Sequence, residues 1–436
     1  MPKSFAEELL TPFMKVKEKA PLQTWEIPAV LAICGMIFLQ FLNSAGAVSR
    51  YLFIAVPFCG FLFLLFMAGV PKRYTVVHFS KPMLICWLGI AFLITLTSVV
   101  VEKNHLVEAA LWSVGFPAVA VAWSNHSLKD FAKPLVWGIY ISFGVFLLVS
   151  VIAYPIEATR YKSFFQNQNA MSLYCSAVYI TGLSDLAAGK RRWIPAVVTG
   201  AAVLMIICTG SRGGLVAIVA GTVMAAIMIS IKEKRRCPRK LTSVFLPVLL
   251  AIAVVLSVGV QTMHYAHNVV RLVMGQKVAA EDWDDSGVSI DDFMHDQADR
   301  LDQSQGDLNT ITTGRVDLWK AYLAEVGLLG NPDDHIIYDK NGNAIEKSSH
   351  FTLIQMAYSY GLPAAVLFLA FNIISGIRAV RYGYHCNDEY AIFPAVIAAT
   401  YGVYYLVESI YSPVSMLLTM MYFMSQAMLL ANRSEQ

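Results

Sequence analysis

Apolar residues come in runs of nearly membrane-crossing length, divided by short polar breaks of which only one is long. The runs lie at 27–42, 51–70, 83–101, 106–123, 135–153, 170–188, 193–208, 214–231, 244–260, 354–377, 391–407 and 413–431. Each approaches the roughly 20 residues that carry a helix through about 30 Å of hydrocarbon. The pattern predicts an all-α polytopic membrane protein with about twelve transmembrane helices. It divides into a tail at 1–26, nine helices within 27–260, a polar loop domain at 261–350, three helices within 351–431 and a terminus at 432–436.

Composition agrees: 57% of the 436 residues are hydrophobic and 14% charged, far from the roughly 25% charge of a soluble domain. Basic residues set the orientation. With the N-terminus inside, inner segments hold 21 of the 33 Lys and Arg, and the run KEKRRCPRK at 232–240 is hard to translocate. The first 26 residues, with Lys15, Lys17 and Lys19, lack the short apolar core and small-residue cleavage site of a secretory signal, so a cytoplasmic tail is expected. The long loop then faces outward. It carries 16 Asp and Glu against 7 Lys and Arg, and no cysteine, so no disulfide framework is implied there. RVDLWKAYLAEVGLLG within it repeats Val316, Trp319, Leu323 and Val326 at helical spacing. No nucleic-acid motif occurs, and the lipid bilayer is the expected surroundings.

Four polar constellations interrupt this pattern. TGSRGGLVA, at 209–217, joins two spans at the outer face. Its glycines permit tight backbone, and Arg212 beside the next helix N-terminus suits an anion; an arginine snorkelling at the interface is the alternative. EATRYKSFFQNQNAMSL places Arg160 and Lys162 in a short outer loop, ahead of Asn167 and Asn169. An anionic ligand or lipid headgroups account equally for that positive charge. In TTGRVDLWKAYL, Arg315 falls on the first turn of a predicted helix, where a cation opposes the macrodipole. It calls for an anion, or for a salt bridge to Asp317 or another loop carboxylate. SSHFTLIQMAYSYGLPAAV sets His350 where the loop returns to the membrane. Imidazole suits general-base work near neutrality, and His335 competes for that part.

Metal ligation has weaker support. Asp282-Trp283-Asp284 forms a DxD triplet, but the calcium-loop position expected to be glutamate is Phe293, and Ser286 stands where Asp or Asn is needed. His264 and His267 have helical spacing without a third ligand. No metal and no cofactor are expected.

FFQNQNAMSL, TGSRGGLVA, TTGRVDLWKAYL and SSHFTLIQMAYSYGLPAAV occur in that order, the last three around the long loop. Their order and the twelve-span layout resemble the O-antigen ligase and polymerase superfamily of bacterial inner membranes, over about 150–430 at motif level. The resemblance implies a GT-C-like, metal-independent, inverting glycosyltransferase whose site faces the periplasm. Its donor would be O-antigen on undecaprenyl diphosphate, and its acceptor the lipid A–core of lipopolysaccharide. Arg212 and Arg315 would hold the donor diphosphate with help from Arg160 and Lys162, and His350 would be the base. Glu408, in VESIYSPVS, falls at an acidic position of the ligases, several of which carry Asp. The single large loop between the ninth and tenth spans favours ligase over polymerase. A lipid-linked oligosaccharide transporter would use similar cations, but the paired inverted repeats that would favour one are not evident.

Reporter fusions test the orientation. A fusion at Lys234 is expected to read cytoplasmic and one at Gln303 to read from the opposite side; one compartment for both would refute the layout.

Overall fold

The computed structural model describes residues 4–20, 25–44, 46, 51–101, 106–154, 156, 160–189, 192–233, 237–279, 291, 295, 298–299, 314–332, 335–338, 342, 344–345, 348–413 and 415–431. These form an all-α, multi-pass membrane protein. An amphipathic helix α1 (Phe5–Lys19) precedes α2 (Glu26–Ser44), α3 (Tyr51–Gly69), α4 (Lys81–Val100), α5 (Leu106–Trp123) and α6 (Leu128–Ala153). Next come α7 (Gln168–Ala188), α8 (Trp193–Thr209), α9 (Arg212–Glu233) and α10 (Cys237–Val273). The loop contributes α11 (Arg315–Ala324), and α12 (Thr352–Tyr360), α13 (Leu362–His385), α14 (Phe393–Val407) and α15 (Leu417–Leu430) close the chain. Among the described residues, seven helices are long and apolar enough to cross a membrane, and four more are shorter and apolar.

Two boundaries differ from the apolar runs. The run at 354–377 is divided at Gly361, whose φ of 91° ends α12, while Pro363 opens α13. A Cβ there would stand 2.2 Å from the carbonyl oxygen of Leu328, so the break fits the segment returning from α11. Leu362 N–H donates to Gly327 O (2.9 Å) and Asn331 N–H to Tyr358 O (2.9 Å). The second difference is α10, whose 37 residues reach about 55 Å at 1.5 Å per residue, well beyond the hydrocarbon thickness.

The core gathers around α7, which is buried on nearly every side and packs against α6, α8, α9, α10, α14 and α15. Its serines, threonine and glycine permit this, because small residues let helices approach closely where lipid offers no hydrophobic drive. The same rule governs the contact of α9 with α14. Gly214, Ala217, Gly221 and Ala225 form a buried stripe on α9. A Cβ at Gly214 would stand 1.9 Å from Ser172 Oγ and 3.0 Å from the Tyr404 hydroxyl, and one at Gly221 would stand 2.4 Å from Thr400 Oγ1. Beneath them the Tyr404 hydroxyl bonds with Ser172 and Ser176, each at 2.9 Å. The ends of α7, α9 and α14 are thereby held together.

Outside the bundle, α11 and a two-stranded antiparallel ribbon, Ile337–Tyr338 paired with Ala344–Ile345, form a small cluster on α12 around Tyr322, Ile337, Ile354 and Tyr358. Tyr322 is inside it, whereas Leu323, expected on the inner stripe, is 54% exposed. Polar anchors described below set the rotation of this short helix.

Overpacking the α9–α14 seam is expected to be destabilising. Gly214→Val should cost about 1–3 kcal/mol and lower the unfolding temperature of the detergent-purified protein. Gly144→Ala, on α6 with nothing within 4 Å of the added methyl, should leave it unchanged or raise it.

Candidate active site

Five segments meet at one end of the bundle. The turn between α8 and α9 brings Ser211 and Arg212, the first turn of α7 brings Asn169, and α11 begins with Arg315. His350 precedes α12, and Glu408 follows α14. Glu408 is the direct partner of Asn169, Arg315 and His350, with its side chain 14% exposed. A carboxylate shielded this far from water needs donors and cations around it, and Glu408 has several. His350 Nδ1 lies 3.1 Å from Oε2. Asn169 Nδ2 donates to Oε1, and Arg315 Nη2 stands 3.8 Å from Oε1.

The backbone is fixed as firmly. Thr352 Oγ1 donates to Glu408 O (2.6 Å) and accepts from Ile410 N–H (3.0 Å), pinning the stretch after α14 to the start of α12. His350 itself has φ 49°, a left-handed conformation uncommon outside glycine. Its neighbour Ser349 is buried and triply held: its carbonyl accepts from Trp319 Nε1 (2.9 Å), its N–H donates to Gln355 Oε1 (3.0 Å), and its hydroxyl donates to Phe351 O (3.0 Å).

Arg315 Nη1 donates to Val407 O (2.6 Å), the last residue of α14. A cation that opposes the dipole at the start of α11 is thus matched to the carbonyl end of α14. Its salt bridge is to Glu408, while Asp317 pairs with Lys320 at 3.8 Å. Burial lowers the Arg315 pKa from its ordinary value; Glu408 opposes that shift, and the like charge of Arg212 adds to it. Arg212 and Arg315 therefore lie within electrostatic reach of each other. Ser211 Oγ donates to Asn169 Oδ1 (3.4 Å), which extends the network from the glycine turn through Asn169 and Glu408 to His350.

A carboxylate only accepts, so the His350 nitrogen facing it carries the hydrogen, leaving the Nε2 lone pair available to take a proton. The cluster combines a held imidazole, a carboxylate and two neighbouring guanidiniums. Next to it, α9, α13, α14 and α15 line an apolar groove of about 670 Å³ that runs from Arg381 and Ala395 to Tyr405 and Leu406, one residue short of Val407.

Other candidate residues fall elsewhere. Arg160 (φ 63°) and Lys162 are exposed on a loop fastened to the end of α8 by Tyr161 N–H donating to Cys208 O (2.8 Å). This sets them near the glycine turn without a described bond into the Glu408 network. His335 pairs with Glu325 at 3.3 Å, apart from His350. Asn167 caps α7 by accepting from Ala170 N–H (2.8 Å). His267 contacts Val151 O and His264 contacts Asn268, and the DxD triplet and Thr312-Thr313 lie outside the described residues. Asn169, Ser211 and Thr352 are the site residues whose parts sequence reasoning did not assign. The position of Asn169 in the mouth of a span, beside a capping Asn167, was the available signal.

An all-α multi-pass membrane protein with a cation, carboxylate and imidazole cluster at one membrane face is the class these features define. Residues 196–369 match the family described as O-antigen ligase. That match supports membership of the O-antigen ligase and polymerase superfamily, a family that is glycosyltransferase-like. The matched region contains Arg212, Arg315 and His350, while Asn169 and Glu408 lie outside it. No curated protein matches the chain.

Thr352→Val keeps the side-chain shape and removes both bonds to the Glu408–Ile410 stretch. It is expected to destabilise by about 2 kcal/mol, read as a lowered unfolding temperature; an unchanged transition would show that the stretch is held by other contacts.

Proposed function

We propose that the chain is an O-antigen ligase, an inverting, metal-independent glycosyltransferase of the bacterial inner membrane. It moves O-antigen from undecaprenyl diphosphate to a sugar hydroxyl of lipid A–core at the periplasmic face. The observation that carries this reading is the His350–Glu408 pair beside Arg212 and Arg315. Glu408 orients the imidazole, and His350 Nε2 takes the proton as the acceptor oxygen attacks the anomeric carbon of the donor. The bond from that carbon to the diphosphate breaks, its electron pair leaves on the phosphate oxygen, and one displacement inverts the centre. Arg212 and Arg315 meet the charge that develops on the diphosphate, in a setting where fixed cations act more strongly than in water. Arg160 and Lys162 extend that positive surface. The apolar groove beside Val407 suits the isoprenoid chain of such a donor, since its wall includes the small residues Gly376, Ala395, Ala398, Ala399 and Gly402.

The deciding experiment incubates purified protein with undecaprenyl-diphosphate-linked glycan and lipid A–core. A mass gain on the core supports ligase, lengthening of the lipid-linked glycan supports polymerase, and movement of lipid across vesicles without transfer supports a transporter. In that assay His350→Ala is expected to slow transfer about 10²-fold or more with donor affinity much less affected. Arg212→Ala should weaken donor binding, and Arg212→Lys should restore it only in part, because an ammonium lacks the bidentate fork. Near-normal turnover of His350→Ala, with membrane insertion verified, would remove the base assignment and turn attention to Glu408 and His335.

A further inference from the structure

The opposite end of the bundle holds a second polar cavity, of about 320 Å³, where the ends of α3 and α5 meet α1 and the starts of α2 and α6. Helix α6 begins at this cavity with Asp130 and Lys133. It finishes at Ala153, beside Tyr154, whose carbonyl accepts from Tyr161 of the loop fastened to the glycine turn. Its 26 residues span about 39 Å. The cavity and the candidate active site therefore lie at opposite membrane faces.

Lys17, Lys72 and Lys133 line the cavity with Trp25, His126 and the carboxylates Glu26 and Asp130. Lys17 is buried and donates to the Ala68 carbonyl (3.0 Å) and to that of Val70, with the Trp25 ring 5.4 Å from its nitrogen. Its pKa falls to about 8, through burial first and then the charge of Lys72. Asp130 is occupied by the Ser127 N–H and hydroxyl and faces His126 at 3.8 Å. Three lysines against two carboxylates leave one positive charge unmatched. A singly charged oxyanion would match it.

The surroundings indicate where that anion comes from. Helix α1 exposes Phe5, Leu9 and Val16 and carries Lys15 and Lys19, the composition of a helix lying in the plane of a membrane surface. Trp25 and Trp123 beside it are residues typical of the headgroup layer. We propose that this cavity binds the phosphodiester headgroup of a singly charged anionic phospholipid, holding α1 against the membrane surface opposite the active site. A bound phosphodiester balances the repulsion between Lys17 and Lys72.

Native mass spectrometry of the full chain, released from mixed micelles of phosphatidylglycerol and phosphatidylethanolamine, tests this. One phosphatidylglycerol is expected to remain bound under activation that strips phosphatidylethanolamine, and excess inorganic phosphate should not displace it. The double variant Lys72→Gln, Lys133→Gln should reduce that retention about tenfold. Lys72→Gln alone, at an exposed position, should reduce it a few-fold, so the test holds even if the double variant folds poorly. Equal retention of the two lipids, unchanged retention in Lys72→Gln, or displacement by inorganic phosphate would each overturn the proposal.

Discussion

A carboxylate placed at the carbonyl end of a transmembrane helix is unfavourable twice, through lost hydration and through the negative pole of the helix. Glu408 stands in that position, right after α14 and largely shielded. The surrounding structure reads as the answer to it. Arg315 covers the last carbonyl of α14 and faces the carboxylate, His350 and Asn169 approach its two oxygens, and Thr352 takes its own carbonyl. These partners come from α11, the approach to α12, and α7. One largely shielded charge thus ties the extramembrane segment to the bundle.

That arrangement needs a rigid base, because a site is only as well placed as the elements beneath it. The base is the seam of α9 on α14, where glycine and alanine bring backbones close and the Tyr404 hydroxyl bridges to Ser172 and Ser176 on α7. Hydrocarbon offers no reward for hiding leucine, so close packing and internal hydrogen bonds hold these helices together. The glycine turn that carries Arg212 grows directly out of this seam. Its Gly213-Gly214 pair therefore serves packing: Gly214 faces Ser172 and Tyr404, and Gly213 faces Val407.

Within the cluster, the charges divide their work by position. The His350 nitrogen facing Glu408 is committed to it, which leaves the other ring nitrogen as the acceptor. Arg315 is engaged on one edge by Val407 and Glu408. The like charge of Arg212 acts on Arg315 against the attraction of Glu408. The imidazole lies at the edge of this pair of cations, on the far side of Glu408.

Much of this was legible along the chain. The apolar runs located the membrane helices because hydropathy belongs to each residue and its solvent, whatever its neighbours. Arg212 in a glycine turn, Arg315 at a helix start, His350 at the loop's return and Glu408 between the last spans stood out as charges or rings in places that need a reason. Their grouping was not legible. That Arg315 meets Val407 and Glu408 instead of Asp317, that Asn169 links Ser211 to Glu408, and that Tyr322 displaces Leu323 from the inner face of α11 all depend on contacts between segments distant in sequence. The division at Gly361 likewise answers to the backbone of Leu328. Local sequence determined which segments are apolar enough for the membrane and which charged and ring side chains interrupt them; the tertiary structure alone decided which of these touch, because a shielded charge takes its partner from whatever packing brings within reach.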